Sequence, residues 1–160
     1  MTKSIKIADR DRQQKKDKLI IGWRETVALP GLGIDRLKAK IDTGARSSAL
    51  HAFKIEKFMR DRQEMIRFQV HPYQRDNKTT IYAEAKVLDY REIRNSGGIA
   101  QLRPVILTSI ELGENIWDIE LTLTNRDVMG FRMLLGRQGV RNKFLIDPGK
   151  SFIQSKRDRE

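Results

Sequence analysis

The stretch KAKIDTGARSSALHA carries a single acidic side chain, Asp42, at the end of an alternating apolar run. Three residues of little bulk, Thr43, Gly44 and Ala45, follow that carboxylate directly. A carboxylate presented on a tight loop can act as a general acid or base. The same residue types also form ordinary turns, so the rest of the sequence has to distinguish a catalytic loop from a structural one.

Other catalytic motifs have little support. The Pro-Gly-Leu-Gly segment at residues 30–33 lacks the spacing and the Lys-Ser/Thr pair of a phosphate-binding loop. The two histidines, His51 and His71, do not form an HExxH motif, and the absence of cysteine excludes disulfides and zinc-thiolate sites. Ser47 and Ser48 lack the Gly-x-Ser-x-Gly elbow of a serine hydrolase. We therefore predict neither a metal site nor a cofactor.

The elements that must position Asp42 are short strands separated by turn signals. Apolar and alternating runs predict strands at residues 19–23, 25–29, 34–41, 65–70, 79–93, 99–110, 116–124, 132–135 and 144–146. Turns are expected at 30–33 and at a glycine-rich hairpin tip, 95–98, and a short helix or turn at 138–143. This pattern predicts a mostly-β barrel or sandwich over residues 19–149. A basic extension (1–18) and a polar tail (150–160) flank that domain.

Two motifs, IDTGA at residues 41–45 and MLLGR at 133–137, resemble the retropepsin-like aspartic peptidases when they are taken together. A hairpin tip, NSGGI, lies between them in the place of that family's flap. The resemblance covers roughly residues 23–147 and implies a closed β-barrel subunit with one short helix near the C-terminus. It implies catalytic roles for Asp42, Thr43 and Gly44, and substrate contacts from Ala45, Arg46, Ser96, Gly97, Gly98 and Arg137.

The segments DTGARSSALHA, LTNRDVMGFRMLLGR and IDPGKSF, with Arg-Pro-Val at 103–105, resemble one bacterial branch of this group. Members of that branch carry the label ATP-dependent zinc protease, and their genes often accompany ATP-grasp ligases that add glutamate tails to ribosomal protein. The resemblance therefore implies a functional link to such a ligase. Because the sequence has no motif for zinc or ATP, the retropepsin-like mechanism is favoured over the one in the label.

The chemistry of the motif requires two carboxylates that share one proton. When two carboxyl groups lie about 3 Å apart, they cannot both be ionised, because their negative charges repel. One carboxyl therefore stays protonated while the other takes a proton from water. Thr43 can hydrogen-bond across to the other loop, and Gly44 allows a tight turn. Since the chain has no second Asp-Thr-Gly or Asp-Ser-Gly, catalysis predicts a homodimer with one Asp42 from each copy. Gly97 and Gly98 would then form a lid over the substrate.

Arg46 departs from the family pattern. Viral members carry an acid four positions after the catalytic aspartate, and that acid pairs with the arginine that corresponds to Arg137. Here Arg137 loses this partner, and Arg46 beside the loop would favour carboxylates on the substrate. An acidic, glutamate-rich peptide is therefore expected, unless Arg46 points into solvent or pairs with an acid of the chain. An added hairpin or loop is also expected between Phe53 and Tyr82.

The net charge is +11 over 160 residues, and it is unevenly distributed. Residues 1–19 carry seven Lys or Arg and three Asp, whereas residues 150–160 carry four Lys or Arg and two acids. Such ends are expected to be mobile; their charge could attract nucleic acid or simply remain solvated. No apolar run reaches the ~18–20 residues of a membrane span, and the N-terminus lacks a secretory segment. The sequence therefore predicts a cytoplasmic protein.

Three functions remain open from the sequence. The favoured one is a homodimeric aspartic peptidase. The second is a non-catalytic module that binds an acidic tail or RNA through the same cleft and its basic rim. The third is a zinc-dependent peptidase, as the label of the bacterial branch implies. A dimer that places two Asp42 carboxylates within ~3–4 Å of each other would favour the first.

Overall fold

The computed structural model describes residues 18–95, 97–126 and 130–157. Ser96, nearly all of the predicted N-terminal extension and the last three residues of the chain lie outside this part. The described chain forms, in order, β1 (Leu19–Gly22), β2 (Arg24–Leu29), a 3-10 turn (Pro30–Leu32), β3 (Ile34–Asp42), β4 (Ser48–His51), β5 (Phe53–Arg60), β6 (Gln63–Val70), β7 (Ile81–Lys86), β8 (Asp89–Arg94), β9 (Ala100–Leu112), β10 (Asn115–Thr124), β11 (Met133–Gly136), α1 (Arg137–Val140) and β12 (Phe144–Asp147).

Strands β8 to β11 and β2 to β4 form one large sheet, in the order β10-β4-β11-β3-β2-β9-β8. Strand β9 also pairs with β10 along most of its length. Between β2 and β9, by contrast, the ladder consists of one registered pair, Ala28 with Glu111. The mostly-β class and the short helix near the C-terminus are therefore confirmed, and the closed barrel stays a prediction.

The arrangement of β3, β11 and β4 positions the Asp42 loop. Strand β11 lies between β3 and β4, parallel to the first and antiparallel to the second. Residues 43–47, which join β3 to β4, must therefore pass over the end of β11. Strand β3 is held in place by Leu37, Ala39 and Ile41, whose side chains alternate into the core as the sequence pattern predicts. Asp42 thus stands at the end of a firmly packed strand.

The predicted addition between Phe53 and Tyr82 is a three-stranded antiparallel sheet, β5-β6-β7. Ile66, Phe68 and Val70 of β6 are buried and belong to the same hydrophobic core as the large sheet. The single strand expected at 79–93 is wrong, because it breaks at residues 87–88 into β7 of this small sheet and β8 of the large one. Strands β4 and β5 were not predicted.

The C-terminal segment runs along β2 as far as it is described. The N–H of Trp23 donates to the Lys150 carbonyl at 2.9 Å, and the N–H of Phe152 donates to the Arg24 carbonyl at 3.0 Å. Next to these contacts lies Glu25, whose side chain is fully buried. Its carboxylate accepts hydrogen bonds from the backbone N–H groups of residues 22, 153, 154 and 155 and from the hydroxyl of Ser155.

No helix within the described ranges is both long enough and apolar enough to cross a membrane.

Candidate active site

The backbone of the loop itself fixes the Asp42 carboxylate. Oδ1 of this half-buried side chain accepts the N–H of Gly44 at 3.0 Å and that of Ala45 at 3.3 Å. The Ala45 N–H also donates to the Asp42 carbonyl at 3.2 Å, which closes the turn. Within the described part of the chain, Oδ2 has no hydrogen-bond partner. One oxygen is therefore held by the loop, and the other is available to a ligand.

Strand β11 and the residue that follows it, Arg137, support the Asp42 loop. Gly136 is in register with Asp42, and its N–H donates to the buried Ser48 hydroxyl at 3.0 Å. Arg137 donates twice to the loop, through Nη1 to the Thr43 carbonyl at 2.8 Å and through its backbone N–H to the Ala45 carbonyl at 2.7 Å. Arg137 thus acts as a support of the Asp42 loop in this structure, and its substrate contact stays a prediction.

Replacing Gly136 with alanine is expected to displace the loop. A Cβ at this position would lie 2.5 Å from the carbonyl oxygen of Ser47 and 3.0 Å from that of Ala45, and both contacts are to backbone. Such overpacking costs about 1–3 kcal/mol, so Gly136→Ala should lower the free energy of unfolding in urea and change the amide NMR shifts of residues 42–47. Gly31→Ala is the matched control, because its Cβ would meet nothing closer than 3.4 Å. Equal stability of the two variants would contradict this account of Gly136.

The Asp42 loop faces strand β8 across a cleft of about 820 Å³, which we call the Asp42 cleft. This volume lies in the range of sites that enclose small ligands or peptide side chains. The loop side contributes Asp42, Gly44, Ala45, Arg46, Ser47 and Ala49; the β8 side contributes Arg91, Glu92, Ile93, Arg94 and Asn95; Arg103, Glu120, Thr122, Leu134 and Gln138 complete the lining. The structure therefore brings four of the sequence-predicted site residues into one cleft.

The hairpin of β8 and β9 carries the glycine-rich tip. The side-chain oxygen of Asn95 accepts the N–H groups of Gly97 at 2.9 Å and Ile99 at 3.0 Å, and Gly98 adopts a φ of +81°. Gly97 and Gly98 are exposed and do not line the cleft, whereas Asn95 does. The Asn-Ser-Gly sequence could have indicated the role of Asn95, since asparagine commonly caps such turns.

An aspartate loop braced by a Gly-Arg strand, opposite a glycine-tipped hairpin, is the arrangement that the retropepsin-like resemblance implies. Residues 20–157 match the family described as RimB-like, retropepsin-like aspartic endopeptidase RimB. The chain belongs to this family. A crystal structure of a Legionella pneumophila protein of unknown function is also similar, with a TM-score of 0.70 and 29% identity over 85% of this chain and 98% of that one.

Curated relatives of this RimB-like chain are much longer proteins. A protein named "Probable alpha-L-glutamate ligase" from Shewanella pealeana is 48% identical over 136 residues, which are 85% of this chain and 30% of the relative. A protein of the same name from Parasynechococcus marenigrum is 50% identical over 131 residues, 82% of this chain and 28% of the relative. The RimB-like chain thus spans about a third of the length of these relatives.

The Asp42 cleft of the RimB-like chain is lined by more cations than anions. Its lining includes four arginines, at 46, 91, 94 and 103, and three carboxylates, at 42, 92 and 120. Arg91 is already paired, to Glu120 at 2.5 Å and to Asp89 at 3.3 Å. The hydrogen bond from Arg91 lowers the pKa of the Glu120 carboxyl, and the charge of Arg46 lowers it slightly further. Sequence reasoning singled out Arg46 alone among these arginines.

The RimB-like chain offers poor ligands for zinc in the part that the structure describes. His51 hydrogen-bonds through Nε2 to the Asn125 carbonyl at 3.2 Å, and His71 through Nδ1 to the Thr79 carbonyl at 3.1 Å. In residues 18–95, 97–126 and 130–157, no three His, Asp or Glu side chains converge as a metal ion would require. These residues do not fit a zinc site, so no step of the proposal below involves a metal.

Proposed function

We propose that two copies of the chain form a peptidase in which paired Asp42 carboxylates activate a water molecule. The observation that carries this proposal is the presentation of Asp42, which lines the cleft with Oδ1 held by two backbone N–H groups and Oδ2 left without a partner in the described part of the chain. A carboxylate fixed in this way is positioned before substrate arrives, which reduces the cost of reaching the reacting geometry. Membership of a family of aspartic endopeptidases supports the same reaction.

The proposed reaction uses one carboxylate of the pair as a base and the other as an acid. The ionised carboxylate takes a proton from water as the water oxygen bonds to the peptide carbonyl carbon, and the protonated carboxyl of the other copy donates its proton to the carbonyl oxygen. The C–N bond then breaks as the leaving nitrogen takes the proton that water supplied, and a hydroxyl of the tetrahedral intermediate returns its proton to the other carboxylate as the product carboxyl forms. Atoms and charge balance, and the pair returns to its starting protonation state.

The dimer follows from the requirement for two carboxylates. The exposed Thr43 and Gly44 stand beside Asp42 at the end of β3, so a two-fold axis at this point would bring two loops together. The pairing of β9 with β10 returns the strand order of the large sheet to its beginning, and this supports a closed barrel as the subunit of the dimer. Gly97 and Gly98 at the hairpin tip would close over a bound peptide.

We propose glutamate-rich peptides as the substrates. Four arginines line the cleft, and Arg46 is exposed on the catalytic loop. Cations around a cleft concentrate and orient acidic ligands. The relatives named as glutamate ligases contain a stretch like this chain within a longer protein, and on this basis we propose that the chain acts together with a glutamate ligase. A glutamate tail is the product that such an enzyme would supply.

The test is cleavage of an oligoglutamate peptide, with an oligoglutamine peptide as the neutral control. We expect products by mass spectrometry from the glutamate peptide, no loss of activity in a chelator, and a dimer by light scattering. If a chelator abolished activity and zinc restored it, the aspartic mechanism would be wrong and the protein would be a metallopeptidase. Tight binding without turnover across acidic and neutral pH would favour a binding module, and a steep salt dependence on random RNA would favour a nucleic-acid ligand.

A further inference from the structure

Arg103 is a buried cation in the wall of the Asp42 cleft. It lies on β9 and is only 8% exposed, although arginine is seldom buried without a partner. Its Nε donates to the side-chain oxygen of Gln101 at 3.1 Å, which is a neutral acceptor. Within the described ranges, no carboxylate lies at ion-pair distance from Arg103. A buried charge without a counter-ion is costly, and an anion from outside the chain would offset that cost.

The surroundings of Arg103 hold the side chain in place without neutralising it. The Gln101 oxygen also accepts the hydroxyl of Thr124 at 3.2 Å, and the Thr124 side chain is itself buried. This shared acceptor engages the Nε–H of Arg103 and leaves the terminal N–H groups for another ligand. Burial lowers the pKa of the Arg103 guanidinium, and the nearby positive charge of Arg126 lowers it further. Both effects would be relieved by an anion bound at Arg103.

The other cleft arginines differ from Arg103. Arg91 is compensated by two carboxylates. Arg94 and Arg46 are exposed, and Arg94 donates to the Gly98 carbonyl at 3.1 Å. Solvent screens an ion pair made by exposed Arg94 or Arg46 more strongly than one made by a buried cation. Among these four arginines, all of which the structure describes, Arg103 is the one that is both buried and without a carboxylate.

We propose that Arg103 is the specificity-determining residue of the cleft and binds the carboxylate of an acidic substrate side chain through its terminal N–H groups. The arrangement allows the bidentate pairing that distinguishes arginine from lysine. The inference rests on the proposed function in one respect, that a peptide occupies the Asp42 cleft. Arg103 would be the residue that recognises a glutamate side chain of that peptide. At the peptide position that contacts Arg103, glutamine should therefore be strongly disfavoured.

The test uses glutamate peptides in which one position at a time is changed to glutamine. The wild-type protein should prefer glutamate at one position by roughly 10- to 100-fold in kcat/KM, the range for a buried charged hydrogen bond. Arg103→Met removes the guanidinium and keeps an unbranched apolar stem. Gln101→Glu keeps Arg103 but supplies an internal carboxylate beside it. Both variants should reduce the preference at that position to about threefold or less while the glutamine peptide is still cleaved.

Arg60→Met is the matched control, because Arg60 lies on β5 outside the cleft and pairs with Glu84 at 2.8 Å. It should retain the full preference of the wild type. An unchanged preference in Arg103→Met and in Gln101→Glu would overturn the assignment while leaving the peptidase intact. Should Arg103→Met fail to fold, as monitored by circular dichroism, Gln101→Glu decides.

A binding measurement separates the failure of this inference from a failure of the proposed function. Calorimetric titration of tetraglutamate into Asp42→Asn protein should give about 10-fold weaker binding when Gln101→Glu or Arg103→Met is added. If the wild type cleaves no peptide yet this difference is found, the function proposed above is wrong and the role of Arg103 stands. Equal binding by all variants would refute the role of Arg103.

Discussion

The Asp42→Asn variant is expected to lose cleavage of oligoglutamate by a factor on the order of 10²–10⁴ in kcat/KM, because an amide can neither take nor give the proton that the reaction moves. The fold should be unaffected, since the amide oxygen can still accept the N–H groups of Gly44 and Ala45. The measurement is initial rate by mass spectrometry, with urea unfolding alongside.

Asp61→Asn provides the control for the change of charge. Asp61 is exposed at the β5–β6 turn with a φ of +50°, a conformation that asparagine adopts readily. It should therefore keep wild-type activity and stability. Mixing an excess of Asp42→Asn protein with wild type should also suppress activity if subunits exchange, because mixed dimers contain one carboxylate. Full activity in the Asp42→Asn protein would eliminate the aspartic mechanism.

The second large effect is expected on stability, from Glu25→Ala. The fully buried Glu25 carboxylate accepts five hydrogen bonds, four from backbone N–H groups and one from a hydroxyl. Alanine would leave these donors without their acceptor, at a cost of about 3–5 kcal/mol. Urea unfolding should show this loss, and hydrogen exchange should speed up most at residues 153–155.

Two further variants make the Glu25 result specific. Glu25→Gln keeps one acceptor oxygen and should fall between wild type and Glu25→Ala. Glu56→Ala removes an exposed carboxylate from β5 and should change stability by less than about 0.5 kcal/mol. If Glu25→Ala were as stable as Glu56→Ala, the carboxylate would not be what holds the C-terminal segment against β2.

The loop and its supporting strand were predictable because the information is local. The alternation of β3 and the apolar run of β11 each indicate a strand, and the small residues after Asp42 indicate a tight turn. Strand β5 was missed because its exposed charges hide the alternation and because non-glycine residues at positive φ, Asp61 and Arg62, make the turn that follows. Hairpin turns with positive φ usually contain glycine or asparagine, and these residues make the turn recognisable in a sequence.

The cationic wall of the cleft could not be predicted from spacing. Arg103 occupies a position of β9 that faces inward, as Val105 does. From the sequence alone an arginine in a strand is predicted to be exposed, because arginine is seldom buried and its neighbours across the sheet are unknown. The charge of Arg91 is compensated by Glu120 of β10, which lies 29 positions further along the chain. Contacts of this range are set by strand order, and strand order is the part of a β fold that sequence patterns constrain least.

Because β11 lies between β3 and β4, the Asp42 loop cannot gain its support until residues 133–137 have been synthesised. Thr43 and the arginine that supports it, Arg137, are 94 positions apart, and loop closure over such a distance is slow. A polypeptide still on the ribosome and ending before residue 133 lacks the strand that pairs with both arms of the loop. The Asp42 loop therefore obtains its supporting strand only after residues 133–136 have been synthesised, and shorter nascent chains lack that support.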